Sequence, residues 1–414
     1  MKNKKINWFM IFVCVVSLTL LSFTIYRAAT TNITYDEAFT YLEYVYKKPY
    51  KVFSHIFING TLANNHLLNS FLISVINSVT RLEFNEIIIR TPNIIFYVIY
   101  FVFCYLVTKD SKYKYGFFSM LAFNYGANEF FGLARGYGMS CSLVLIGVYF
   151  FKKYLLSSGK HGYLSLSYIF LLLACYANTV ALIPFGAIIV SSVIVLTKNK
   201  TLLLYIKKQL FILLPVIILS LLIVKYHFMV SGENLPLYGG NTSFYKDVLV
   251  SYFDIYGLSF RFVKYFIGPI CLVIVLVALV NVKRLKNNFL VISGLIYFVL
   301  LVIITLATKN MWTTGRCLIP SMPLVIIMIE EILETLNFKK TWMLDVIIVI
   351  PLLISFGKNL NLKQTREWNY TVRLTCYEAY EKKDNSIINR VRDDYATNFY
   401  WKKILKEKNY DIYR

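Results

Sequence analysis

Two adjacent carboxylates, Asp36 and Glu37, follow the first apolar segment of the chain, in the stretch Thr-Tyr-Asp-Glu-Ala-Phe that begins at residue 34. Ionised carboxylates beside lipid are costly, so they are functional candidates by default. Thr34 and Glu37 also fit a capping box at a helix start, where the helix dipole favours Asp36. Both interpretations stay open, because Glu37 can cap the helix while Asp36 faces a cleft as a catalytic base.

Three arginines are candidate phosphate ligands at the same outer level of the chain. Arg90 opens the second long apolar run, Arg135 follows a short turn, and Arg316 opens a late apolar run. A guanidinium prefers planar anions such as phosphate and stays charged near lipid. The alternative is that each arginine reaches lipid headgroups from a helix end. Glu129, before the same turn, is a second candidate acid, and Tyr137 after it is a candidate cleft residue.

His66 follows Asn65 at the start of an amphipathic segment, and both are candidate cleft residues, with His66 near the donor phosphate. A lone histidine at a polar helix start is otherwise an ordinary cap or surface residue. The remaining histidines, at positions 55, 161 and 227, share no spacing with it, so no zinc site is expected. The seven cysteines show no CxxC spacing, which indicates neither a disulfide framework nor a metal site.

The composition predicts an all-helical, multi-pass membrane protein. Of 414 residues, 57% are hydrophobic and only 16% are charged, which exceeds the usual apolar share of a soluble domain. The net charge of +22 comes from short Lys and Arg clusters between apolar runs, a pattern that specifies membrane topology. No nucleic-acid partner is expected. A basic N-terminus before the apolar run at about 8–25 lacks a cleavage site, so this first helix is expected to be retained.

The topology depends on residues 67–79, which either span the membrane or lie on it. The run is short for a span, and its apolar residues recur at helical spacing opposite Asn and Ser, which favours an interfacial helix. The basic clusters between the other runs then all face the cytoplasm. About eleven spans result, with later runs near 87–108, 116–131, 137–151, 163–178, 180–197, 210–228, 262–282, 288–307, 317–335 and 342–357.

The predicted organisation is a transmembrane domain at 1–357 and a small extracytoplasmic tail at 358–414 that forms an appended cap. The first outer loop, 29–86, carries most of the chemistry, and another outer segment covers about 229–261. An apolar stripe of Phe39, Leu42, Val45 and Tyr46 predicts a second interfacial helix in the first loop, with the carboxylates at its start.

These features in this order resemble the GT-C membrane glycosyltransferases, in particular the bacterial relatives of protein O-mannosyltransferases and of the lipid A aminoarabinose transferase. The resemblance covers roughly residues 1–335 and depends on the acidic pair, the Asn-His segment, Arg90, the Ala-Arg-Gly-Tyr-Gly turn and the late Arg-Xaa-Leu-Xaa-Pro. It implies that Asp36 is the catalytic aspartate, that Glu129 holds the second acidic position, and that His66 fills a His or Lys position. Here Leu-Leu replaces the family's Pro-Pro pair after it.

The resemblance also implies a polyprenyl-phosphate sugar as donor and no cofactor, while a divalent metal is left open. The expected partners are membrane lipids, that donor and an acceptor glycan, lipid or protein. Asp36 is expected to take the acceptor's proton in an inverting displacement, with the arginines holding the leaving phosphate. The expected location is the plasma membrane of a bacterium, with the site on the outer face. A lipid-linked sugar flippase or transporter, and an envelope polysaccharide polymerase, are the alternatives.

Overall fold

A computed structural model describes residues 7–46, 51–54, 65–157, 160–232, 239–240, 243–259, 261, 265, 285, 288–308, 312–313, 315–336, 340–362, 371–384 and 386–408. Within these residues, seven helices are long and apolar enough to cross a membrane. In lipid, a helix satisfies all of its backbone hydrogen bonds internally. The chain is therefore an integral, multi-pass helical membrane protein.

The described α-helices are α1 (Trp8–Thr30), α2 (Tyr35–Thr40), α3 (Lys51–Ser54), α4 (Leu67–Thr80), α5 (Glu86–Thr108), α6 (Lys114–Ala122), α7 (Tyr125–Phe131), α8 (Gly136–Leu156), α9 (His161–Ala177), α10 (Leu182–Lys198), α11 (Leu202–Gly232), α12 (Ser251–Asp254), α13 (Phe289–Thr308), α14 (Met322–Leu336), α15 (Thr341–Asn359), α16 (Val372–Glu381), α17 (Ile387–Asp393) and α18 (Tyr395–Glu407). Short π-helices cover Tyr41–Val45 and Tyr245–Val250, and 3-10 helices cover Thr179–Ala181 and Gly315–Ser321. Strand β1 (Gly239–Gly240) pairs antiparallel with β2 (Trp312–Thr313).

Several predicted spans differ from the observed helices. The run at 116–131 is divided into α6 and α7, because the Asn124 side chain accepts the Ala127 N–H at 2.9 Å and begins a new helix. Helices α9 and α14 have 17 and 15 residues, fewer than the ~20 of a perpendicular span. The predicted span at 262–282 lies outside the described residues apart from Tyr265. The count of eleven therefore stays a prediction.

Helix α8 forms the centre of the bundle and is buried along most of its length, whereas α11 and α15 expose most of their apolar surface. Small residues let α8 and α9 approach closely. The Ser140 hydroxyl donates to the Ala174 carbonyl at 3.0 Å, and the Ser167 hydroxyl donates to the Gly147 carbonyl at 2.8 Å. These bonds hold the start of α8, which carries candidate site residues, at a fixed depth.

Helix α4 is amphipathic, as predicted, but its polar face is covered by protein. Phe71, Val75 and Val79 are exposed along one side, whereas Asn69 and Ser74 are buried on the other. An exposed apolar stripe on a membrane protein faces lipid, so the polar stripe is available for hydrogen bonds with the bundle.

The second predicted interfacial helix is buried under the tail, which corrects the expectation that it lies on the membrane surface. It comprises α2 and the following π-helix, and Leu42, Val45 and Tyr46 of its apolar stripe share one buried cluster with residues of α18. The Phe39 and Tyr395 rings lie 4.7 Å apart between centroids, and the Ile33 N–H donates to the Tyr400 hydroxyl at 2.8 Å. The tail provides the apolar partner for which the sequence pattern predicts lipid.

Ion pairs place the tail at the same end of the bundle as the first loop. Lys403 contacts Glu86 and Lys406 contacts Glu83, both at 2.7 Å. The described part of the tail and the first loop therefore contact each other at one end of the bundle.

Gly136 allows α8 and α9 to approach at the point where the candidate site begins. A Cβ at this position would overlap the Ala177 carbonyl and lie 3.0 Å from the His66 Cβ. We expect Gly136→Ala to cost about 1 to 3 kcal/mol of stability through overpacking, measured as a lower thermal midpoint in detergent. Gly162→Ala is the matched control, because a Cβ there meets nothing within 4 Å. Equal midpoints for the two variants would refute the close-packing assignment.

Candidate active site

Arg90 of α5 is fully buried, and all five of its N–H groups have partners. Its Nε and Nη2 donate to the two carboxylate oxygens of Glu37 at 2.9 and 2.8 Å. Its remaining N–H groups donate to the carbonyls of Ala28, Thr31 and Asn32 at 2.9, 3.0 and 2.8 Å. Arg90 therefore connects helix α5 to the end of α1 and to the segment that follows it.

Glu37 completes the capping box that the sequence predicts. Its carboxylate accepts the Thr34 N–H at 2.9 Å, and the Thr34 hydroxyl accepts the Glu37 N–H at 3.3 Å. The Ala134 N–H also donates to it at 2.6 Å. Burial raises the pKa of this carboxyl, but Arg90 and the backbone donors outweigh burial and hold the pKa below its ordinary value. Glu37 is therefore ionised and fully occupied by structural contacts.

Hydrogen bonds to Ala134 fix the residue directly before Arg135. The Ala134 N–H is held by Glu37, and its carbonyl accepts the Asn69 amide at 3.0 Å. The Asn69 side-chain oxygen in turn accepts the Asn93 amide at 2.7 Å. All of these partners are buried, so α4 and α5 together fix the position of the backbone directly before Arg135.

Asp36 faces two arginines that come from distant parts of the chain. Its Oδ2 forms an ion pair with Nη1 of Arg135 at the start of α8 and lies 3.9 Å from Nη2 of Arg316. The side chains of Asp36, Arg135 and Arg316 are only 5%, 4% and 8% exposed. Two guanidinium groups against one carboxylate leave a net positive site, which favours an anionic ligand.

An aromatic ring and a histidine complete this cluster. Both guanidinium carbons lie 5.8 Å from the Tyr137 ring centroid, and the His66 ring packs edge-on against that ring at 5.3 Å. Burial and the charge of Arg316 lower the pKa of His66 to about 4, against the opposing effect of a hydrogen bond with the Ala177 carbonyl. His66 is therefore neutral at pH 7, and its buried Nε2 has no hydrogen-bond partner among the described residues.

A hydroxyl network holds the 3-10 helix that carries Arg316. The Ser321 hydroxyl at the end of Gly315–Ser321 lies 2.6 Å from the Tyr252 hydroxyl, which lies 2.7 Å from that of Tyr297. The Tyr297 hydroxyl also donates to Ser321 at 3.0 Å. Two helices, α12 and α13, thus converge on the segment that presents Arg316 to Asp36.

Five of the nine predicted site residues therefore meet in one cluster: Asp36, Arg135, Arg316, Tyr137 and His66. Glu37 and Arg90, predicted as a catalytic and a phosphate-binding residue, instead pair with each other, and the remaining Arg90 N–H groups are taken by backbone carbonyls. The sequence predicts that His66 lies near the donor phosphate. Because its ring is neutral, it can contribute hydrogen bonding to this site but no charge.

Two other predicted residues have different partners. Glu129 accepts a hydrogen bond from Arg27 at 3.0 Å, which ties α7 to the end of α1. Asn65 donates to the Val52 carbonyl at 3.1 Å and accepts from the Ser70 hydroxyl at 3.0 Å, which ties α4 to α3. Sequence reasoning missed Arg27, although an arginine at the outer end of a first span is itself an unusual placement.

In the part of the chain that the structure describes, no group of three or more His, Cys, Asp or Glu side chains is arranged to hold a metal ion. No protein-family model, curated protein or solved structure matches this chain. The geometry of the charged cluster is therefore the observation from which a function can be inferred.

The Arg90–Glu37 pair predicts a large effect on stability. Glu37→Gln leaves the Arg90 guanidinium buried without its counter-charge, which should cost about 3 to 5 kcal/mol and be visible as a lower thermal midpoint. Glu83→Gln removes an acid from an exposed pair with Lys406 and should cost less than about 1 kcal/mol. Similar losses in both variants would contradict the central position that we assign to Arg90.

His66 predicts that stability depends on pH. Its pKa lies near 4 in the folded protein and at 6.5 when unperturbed, so between these values only the unfolded chain is protonated at this position. The free energy of unfolding should fall by up to about 3 kcal/mol as the pH drops from about 6.5 to about 4 and then level off. Thermal midpoints of wild type and His66→Gln across this window measure the effect. An equal pH dependence in both proteins would overturn it.

Proposed function

We propose that this protein is a membrane glycosyltransferase that moves a sugar from a polyprenyl-phosphate donor to an acceptor hydroxyl. In this proposal the chain has a GT-C-like arrangement of about eleven spans and lies in the plasma membrane of a bacterium. The site is on the extracytoplasmic face, and the acceptor is a glycan, lipid or protein of the cell envelope. No nucleic acid takes part.

The observation that carries the proposal is the buried carboxylate of Asp36 against the guanidinium groups of Arg135 and Arg316. A carboxylate can accept a proton from an attacking hydroxyl, and paired guanidinium groups suit a phosphate. A phosphate that enters the cluster competes with Asp36 for both arginines. This exchange would release the carboxylate to act as a base when the donor is bound.

The proposed reaction is a single displacement. The acceptor hydroxyl oxygen attacks the anomeric carbon while Asp36 takes the hydroxyl proton. The bond from that carbon to the phosphate oxygen breaks, and the bonding electrons leave with polyprenyl phosphate. Arg135 and Arg316 stabilise the charge that grows on the phosphate, an effect that is strong in a water-poor site. One in-line displacement inverts the anomeric configuration.

The remaining cluster residues orient the substrates. The His66 ring donates to the Ala177 carbonyl through its other nitrogen, so the unpartnered Nε2 of the neutral ring can accept a hydrogen bond from a sugar hydroxyl. The Tyr137 ring lies beside both guanidinium groups and limits their orientations. Glu37, Arg90 and Asn65 position the first loop, and the pairing of Glu129 with Arg27 positions α7 against α1.

The depth of the charges supports surface chemistry over transport. Transporters place ionisable residues near the middle of the membrane, on broken helices. Here Asp36 lies in the first turn of the short helix α2, Arg135 directly precedes α8, and Arg316 lies in the 3-10 helix before α14. A polysaccharide polymerase stays the second enzymatic alternative, and the acceptor it uses would distinguish it.

Asp36→Asn should abolish sugar transfer, because it removes the proton acceptor. The measurement is release of polyprenyl phosphate by purified protein in nanodiscs, with a panel of polyprenyl-phosphate sugars and candidate acceptors. We expect at least a 100-fold loss for a missing general base, with donor binding retained. Glu83→Gln, in the same loop, should keep wild-type turnover. Undiminished turnover by Asp36→Asn would eliminate Asp36 as the base.

A further inference from the structure

A groove opens between α1, α6 and α15 at the end of the bundle opposite Asp36. Helix α5 begins near Arg90 and spans about 34 Å over its 23 residues, and the groove lies just beyond its far end. Its volume is about 510 Å³, within the usual range for small-ligand sites. The proposed chemistry of Asp36 does not use it.

The walls of the groove are apolar and open outward. Phe12 of α1 and Tyr115 of α6 form one side, and α15 forms the other with Trp342, Val346 and Ile350. Trp342 is 65% exposed and Ile350 is 50% exposed. In a membrane protein such a surface contacts lipid tails, and a tryptophan at its end marks the level of the headgroups.

Two lysines line the same groove at its polar end. Lys114 Nζ lies 5.3 Å from the Phe9 ring centroid and 5.8 Å from that of Tyr115, while Lys112 is exposed. The carboxylate in the lining, Asp345, accepts the Gly116 N–H at 2.8 Å, so it is already engaged with the α6 backbone. Just outside the lining, Glu334 accepts the Lys112 backbone N–H at 3.1 Å. Among the lining residues themselves, two lysines stand against the one carboxylate of Asp345, so the polar end of the groove carries a net positive charge.

The geometry points to a binding site for an anionic phospholipid in this groove, with its phosphate at Lys112 and Lys114 and an acyl chain along α15. Each part of such a lipid has a matching surface. The anionic headgroup would bind the lysine ammonium groups, and the acyl tail would pack on the apolar wall. Basic pockets between transmembrane helices bind anionic headgroups in this manner. A neutral phospholipid would fit the wall but lacks the net charge that the lysines select.

Native mass spectrometry of the purified full chain tests this site. The probe is an equimolar mixture of phosphatidylglycerol and phosphatidylcholine with the same acyl chains. We expect preferential retention of phosphatidylglycerol, and a loss of about tenfold in the double variant Lys112→Gln/Lys114→Gln. Lys200→Gln/Lys207→Gln, two exposed lysines of another cluster, should retain it. Equal retention of both lipids by wild type, or unchanged retention in the first variant, would overturn the proposal.

A second pair of variants tests the apolar wall. Val346→Trp fills the groove and should reduce retention of phosphatidylglycerol, whereas Ile347→Trp, on the next residue, leaves it open because Ile347 is exposed but does not line it. Thermal midpoints verify that both variants fold. Equal retention by two folded variants would place the lipid elsewhere and refute the proposed acyl channel.

Discussion

The candidate site depends on one buried ion pair, Arg90 with Glu37. Two charges held away from water cost several kcal/mol each unless each finds enough hydrogen bonds. Here Arg90 uses all five N–H groups, and Glu37 also accepts from the Thr34 and Ala134 N–H groups. The cost of burial thereby restricts the first loop to one position against α5 and α8. A polar but exposed loop would have no comparable constraint.

The neighbouring carboxylates of Asp36 and Glu37 have different surroundings. Glu37 meets one guanidinium edge-on and several backbone donors, which completes its coordination. Asp36 instead shares its charge between two arginines that other elements supply. The first arrangement stabilises the fold. In the proposed function an incoming phosphate rearranges the second, so that helix capping falls to Glu37 and catalysis to Asp36.

Much of the fold could be predicted from sequence, because apolar length, amphipathic spacing and helix caps are local properties, whereas only five of the nine candidate site residues lie in one cluster. The long spans, the α4 helix and the capping box at Thr34 agree with prediction. Which distant residue a buried side chain contacts is not determined by the local sequence. Nothing near Arg90 in sequence indicates that it meets Glu37, 53 residues away. The tail likewise covers α2 through contacts that no periodicity reveals.

The most direct test of the account is an experimental structure of the protein with a polyprenyl-phosphate sugar that it turns over. We predict phosphate oxygens about 3 Å from the Arg135 and Arg316 guanidinium groups, with the anomeric carbon facing Asp36. Arg90 and Glu37 should stay paired as they are without donor. A phosphate bound away from both arginines, or held by Arg90 after its pair with Glu37 opens, would contradict the account.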